Sequence, residues 1–130
     1  MVNRREFLEE DQQKFAEEFT QILKDLAPHV KSLQHSITPD TIEPVLRFIH
    51  SIRGGARALH LDKLFTFADR LESLLAGIKY KRLEPTEAAL YVINKSYQAL
   101  IDYLPYLKID QSIAFADDDL INKIEQLLKK

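Results

Sequence analysis

The chain contains no cysteine. Disulfides, thiolate metal sites and cysteine nucleophiles are therefore excluded, and a reducing compartment is compatible with the composition. Glycine is scarce: there are three in 130 residues, two of them adjacent at Gly54 and Gly55. No stretch alternates apolar and polar residues as a half-buried strand does, so the expected fold is all-α. No apolar run approaches the roughly 20 residues that a helix needs to cross a bilayer. At the N-terminus, Arg4 and Arg5 followed by several acids lack the apolar core of a signal peptide. The formal charge of −2 offers none of the cationic excess that nucleic acid attracts. The expectation is a cytoplasmic chain with neither nucleic acid nor membrane as partner.

At 130 residues, 45% hydrophobic and 29% charged, there is material for one domain with a modest core and none for a second. Apolar residues recur at helical spacing throughout. Phe15, Phe19, Ile22, Leu26, Val30, Leu33 and Ile37 mark a first helix with an acidic outer face, kinked at Pro28, with Phe7 and Leu8 extending it or capping the bundle. Thr38, Pro39 and Asp40 supply cap chemistry for a second helix, whose start Pro44 blurs and whose stripe is Ile42, Val45, Ile49, Ile52, Ala56 and Leu59. Asp62 is a suitable N-cap for a third, carrying Leu64, Phe67, Ala68, Leu71, Leu74, Leu75 and Ile78, with Gly77 loosening its last turn. Pro85, Thr86 and Glu87 suit the first turn of a fourth, with Leu90, Ile93, Tyr97, Leu100, Ile101 and Leu104 buried and Pro105 ending or kinking it. After a connector over 111–116, Asp117, Asp118 and Asp119 precede Leu120, Ile121, Ile124, Leu127 and Leu128; consecutive acids diverge on a helix, so they fit capping better than metal binding. The predicted helices run over about 8–36, 40–59, 63–80, 85–104 and 118–129. Short connections between four such helices predict an antiparallel up-and-down four-helix bundle, with a short fifth C-terminal helix on its side.

One stretch carries chemistry: His50-Ser51-Ile52-Arg53-Gly54-Gly55-Ala56. On a helix, His50 falls about 100° from the centre of the apolar stripe, so its imidazole emerges at the edge of a helix contact. Helical side chains lean toward the N-terminus, so the residue one turn later normally crowds such a ring. Here it is Gly54. Two glycines inside a helix cost about 1 kcal/mol each relative to alanine. Close approach of a partner is the favoured reason, which makes Gly54 and Gly55 steric-access residues; helix packing is the structural alternative. Arg53 and Arg57 stand three and seven residues on, on the same face, where they add positive charge for a phosphoryl group or an acidic docking surface. Glu72 sits at the border of the third helix's apolar face. His29 and His35, six residues apart, lack the one-turn spacing of paired metal ligands and read as surface residues. Tyr91, Tyr103 and Tyr106 read as core or core-edge aromatics with no ligand.

The His50 string resembles the phosphoacceptor motif of histidine phosphotransfer domains, in the variety that opens chemotaxis-type histidine kinases. The likeness extends over nearly the whole chain through the first-helix phenylalanines and acids, Glu72 and the number of helices. It implies that His50 accepts a phosphoryl group from a histidine kinase catalytic domain and yields it to an aspartate on a response-regulator receiver domain. It also implies that Glu72 accepts a hydrogen bond from Nδ1–H of His50 and leaves Nε2 as the nucleophile. Two positions depart from the pattern. Arg53 stands where lysine is usual, which keeps the charge in a planar fork. His60 stands where the turn tends to have glycine, so the turn is expected to take a conformation that a non-glycine residue accepts, with no catalytic role for His60.

The expected protein is a phosphoryl carrier and not itself a kinase, since no glycine-rich phosphate loop or magnesium-binding acid cluster is present. No cofactor and no resident metal are expected, and one bundle with one active face works as a monomer. A phosphoacceptor domain of a longer chemotaxis-type kinase fits the same residues. A helical adaptor or dimerisation module with an inert His50 is the alternative from another class.

Overall fold

The computed structural model describes the backbone of residues 4–110 and 113–129, with side chains from Glu10 onward. Five helices and no strand occur among the described residues: α1 (Arg4–Leu33), α2 (Pro39–Ala58), α3 (Asp62–Lys79), α4 (Glu87–Ile109) and α5 (Asp118–Leu128). The fold is the expected all-α bundle with a short C-terminal helix. The side chains of Phe7 and Leu8, and the start of the connector at Gln111, lie outside the described residues.

Apolar stripes set the packing. Ile42, Val45, Ile49, Ile52 and Ala56 of α2 are all buried, as are the seven apolar positions predicted for α3. Along α1, Leu23 takes the buried place expected of Ile22, which is half-exposed, because the register of the stripe advances by one residue there. The buried face of α4 is also turned from the expected one. Ala89, Val92, Ile93, Ser96, Leu100, Tyr103 and Leu107 point inward, while Leu90, Tyr97, Ile101 and Leu104 are only partly covered. α4 packs on α1 along one side and α5 along the other, so its apolar surface is split between two neighbours. α2 pairs with α1 and α3, and α5 packs on α3 and α4.

Helix ends explain the differences at the boundaries. Thr38 caps α2 in a reciprocal box: its hydroxyl accepts from the Thr41 N–H at 3.1 Å, and its own N–H donates to the Thr41 hydroxyl at 2.8 Å. α3 begins at Asp62, so this residue lies in the first turn and not at the cap position, where Leu61 makes no side-chain bond. Thr86 caps α4 by accepting from the Ala89 N–H at 3.1 Å, which leaves Pro85 outside the helix. Pro28 and Pro105 both lie within continuous helices. A proline removes one backbone bond, yet buried residues beyond it, Val30 and Leu33 or Leu107, hold the next turn to the core. Asp117 caps α5 as expected, accepting from the Leu120 N–H at 3.1 Å.

The turn after α2 keeps a glycine-like geometry with a histidine in it. His60 adopts φ 59°, the left-handed conformation that favours glycine. With it, the His60 N–H reaches the Arg57 carbonyl at 3.2 Å and the Leu61 N–H reaches the Ala56 carbonyl at 2.8 Å. These two bonds satisfy the last carbonyls of α2 and are the reason the residue accepts the strain. α3 ends the same way at Lys81, with φ 62°.

Phe115 gives the connector a core residue that periodicity could not reveal. It is buried against Phe67 and Tyr103, with ring centroids 4.5 and 5.5 Å apart. Tyr91 and Tyr106, expected at or near the core, are instead about half exposed. Gly77 is buried against Leu83, whose side chain occupies the space a Cβ would need.

Candidate functional site

α2 and α3 run antiparallel, and charged pairs line their seam. Glu43 pairs with Lys79 near one end, His50 meets Glu72 in the middle, and Arg53 meets Asp69 one turn further along. The Lys79 ammonium lowers the Glu43 carboxyl below its usual range, and the same pairing raises Lys79. This places an imidazole and a carboxylate opposite one another at the solvent edge of the helix contact.

The Nδ1–H of His50 donates to Oε1 of Glu72 at 2.7 Å. An ionised carboxylate can only accept, so Nδ1 carries the proton, and in the neutral ring Nε2 holds the free lone pair. The His50 side chain is 63% exposed and that of Glu72 23%. Nε2 is thus reachable from solvent, while the carboxylate that holds Nδ1–H is mostly covered. The second carboxylate oxygen of Glu72 is buried and accepts no hydrogen bond; the Nε of Arg53 lies 3.5 Å away.

The glycine pair divides its roles. A Cβ on Gly54 would meet nothing within 4 Å, so the space one turn after His50 is open. A Cβ on Gly55 would overlap the ring of Phe15, so that position admits α1 to α2 and does not serve access. Arg57 is exposed on the outer surface of α2, and Arg47 adds an exposed cation one turn before His50. Arg53 is placed differently. Its Nε–H donates to Oδ1 of Asp69 at 3.0 Å, and its guanidinium lies 5.2 Å from the centroid of the Phe65 ring.

Asp69 and Arg47 were not singled out in the sequence. The signal was there in the spacing: Asp69 precedes Glu72 by three residues and Arg47 precedes His50 by three, which places each on the same helix face as the residue it accompanies. Other histidines lie apart from the site. His29 is partly covered by Phe48, at 6.0 Å between rings, rather than free on the surface as expected. His35 and His60 are exposed. Among the described residues no group of three or more His, Asp or Glu side chains is arranged to hold a metal ion. None of the described helices is long and apolar enough to cross a membrane. A groove of about 750 Å³ between α1 and the end of α4 is lined by Ala16, Thr20, Leu107 and Ile109 and includes neither His50 nor Glu72. An open, exposed imidazole suits reaction with another protein's active site better than capture of a small molecule.

Residues 12–103 match the Hpt domain family. A stretch of 64 residues is 42% identical to the chemotaxis protein CheA of Rhizobium meliloti (strain 1021), over 49% of this chain and 8% of that protein. A stretch of 88 residues is 33% identical to the chemotaxis protein CheA of Cereibacter sphaeroides, over 67% of this chain and 13% of that protein. The chain therefore spans only a small part of the length of these curated relatives.

Proposed function

The chain belongs to the Hpt domain family, a family of histidine phosphotransfer modules in two-component signalling, and from that premise we propose that His50 is its phosphoacceptor. The observation that carries the reading is the exposed His50 ring with its Nδ1–H held by Glu72 at 2.7 Å. The Nε2 lone pair attacks the γ-phosphorus of ATP bound to a histidine kinase catalytic domain; the P–N bond forms as the bond to the ADP oxygen breaks. Nδ1 keeps its proton, and the positive charge that develops on the ring faces the Glu72 carboxylate. In the second step a receiver-domain aspartate attacks the same phosphorus, the P–N bond breaks, and the electron pair returns to Nε2. The accepting carboxylate and the magnesium belong to the receiver.

Arg57 and Arg47 supply positive charge around the transferred group, and Gly54 leaves room for it. The module carries the phosphoryl group without binding nucleotide itself. Both curated relatives are chemotaxis proteins, so a chemotaxis-type kinase, in the same chain or a separate one, is the donor that fits best. The partner set is a kinase catalytic domain and a receiver domain, met by a monomeric, cytoplasmic bundle.

The test is incubation with an active histidine kinase core and labelled ATP, beside a His50→Gln variant. Acid-labile, base-stable label on the parent and none on the folded variant is the expected result. Equal labelling of both would remove His50 from the role, and no label from several kinases would favour a phosphate-independent adaptor.

A further inference from the structure

Arg53 was expected to serve the phosphoryl group; its Nε–H, one of five N–H donors on the guanidinium, donates to Asp69 at 3.0 Å. The same Nε lies 3.5 Å from Oε2 of Glu72, within ion-pair range but too long for a good hydrogen bond. That oxygen is buried and has no hydrogen-bond partner. A guanidinium this close to an unsatisfied carboxylate oxygen has every electrostatic reason to close the gap. Something holds it back. The Nε–H that would close the gap is given to Asp69, and Asp69 is itself fixed: its other oxygen accepts from Arg70 NH1 at 2.6 Å, and Nε of Arg70 donates to Glu125 of α5 at 3.2 Å.

We propose that Asp69 is a positioning residue for the phosphoacceptor: by holding the Arg53 guanidinium off Glu72, it keeps the Glu72 carboxylate committed to the Nδ1–H of His50. The inference rests on the phosphotransfer reading for its consequence, though not for its geometry. Were Arg53 free to form a direct bond to Glu72, the carboxylate would divide its charge between two donors. The hydrogen bond to the imidazole would weaken, and the ring would lose the bias that keeps Nε2 unprotonated. Phe65 supports the restraint from below, with its ring under the guanidinium at 5.2 Å. Arg70 and Glu125 extend it to α5, so the C-terminal helix contributes to the site through one chain of charge.

Two readouts separate this role from a merely structural one. In alkaline buffer, nitrogen NMR of the His50 ring gives the population of the Nδ1–H form without any phosphoryl donor. Labelling by a kinase core gives the transfer rate. Asp69→Ala is expected to shift the ring toward the Nε2–H form and slow labelling about tenfold, the scale of one charge-assisted hydrogen bond. Removing the released guanidinium as well, in Asp69→Ala with Arg53→Gln, is expected to restore the Nδ1–H form and recover most of the rate. An unchanged tautomer in Asp69→Ala would overturn the proposal, and so would a double variant no better than the single one. If Asp69→Ala does not fold, Arg53→Gln alone keeps the question open to measurement: loss of the Nδ1–H form there would overturn it too. A parent that no kinase labels would defeat the phosphotransfer reading alone, since the tautomer readout is independent of it.

Discussion

At the scale of single residues, the two adjacent glycines separate access from packing. Gly54 faces open space, so Gly54→Ala removes only the conformational penalty of glycine in a helix and is expected to stabilise the fold by about 0.5–1 kcal/mol. Gly55→Ala pushes a methyl group into the ring of Phe15, which is 5% exposed and has little room to yield. Overpacking of this kind typically costs about 1–3 kcal/mol, which exceeds the helix gain. Thermal melts of the two variants should therefore move in opposite directions; a matching shift would show that Gly55 has no packing role. The string around His50 could be read from the sequence because its meaning depends on spacing along one helix. The partition of the glycines could not, because Phe15 comes from another helix. Arg53 illustrates the same limit. Its face was legible in the three-residue step from His50, whereas its commitment to Asp69 depends on how α3 lies across the seam.

At the scale of elements, boundaries were set by capping chemistry more than by apolar period. Thr38, Thr86 and Asp117 announce helix starts by residue type, and Pro28 and Pro105 could not show whether packing beyond them would carry the helix on. His60 holds a left-handed turn that glycine would enter at lower cost. His60→Gly is expected to raise stability by about 0.5–1 kcal/mol while leaving the two closing bonds to Arg57 and Ala56 in place. A lower denaturation midpoint would show that the His60 side chain contributes contacts that outweigh its strain.

Tyr103 ties α4 to the segment leading into α5, its hydroxyl donating to the Ile113 carbonyl at 2.9 Å. Burial raises its phenol above the ordinary tyrosine value. The folded state therefore holds this proton more tightly than the unfolded chain does. Stability from this group is complete below the usual tyrosine pKa of about 10 and is lost as pH rises through the raised value. Tyr103→Phe should lose about 1 kcal/mol at neutral pH through the missing hydrogen bond, and should show a shallower alkaline loss of stability. Parallel pH profiles for parent and variant would contradict this.

At the scale of the whole molecule, four helices and a fifth on their side serve to present one face. The all-helical class and the number of helices were legible because every stripe repeats at the helical period. The turned face of α4 and the burial of Phe115 were not, because both depend on α5 packing beside α3 and α4. A burial gradient runs across the α2–α3 seam. Ile49 and Ile52 are sealed in the core, Glu72 is mostly covered, and His50 is open. On the proposed reading, a packed floor beneath an open imidazole would let a small module accept a group in one protein's active site and surrender it in another's.

The phosphorylated protein, labelled with nitrogen-15, tests this account most directly, since NMR shows which nitrogen of which histidine carries phosphorus. The account predicts a nitrogen–phosphorus coupling at Nε2 of His50, with Nδ1 still protonated and bonded to Glu72. Phosphorus on Nδ1 of His50, or on His29, His35 or His60, would contradict it.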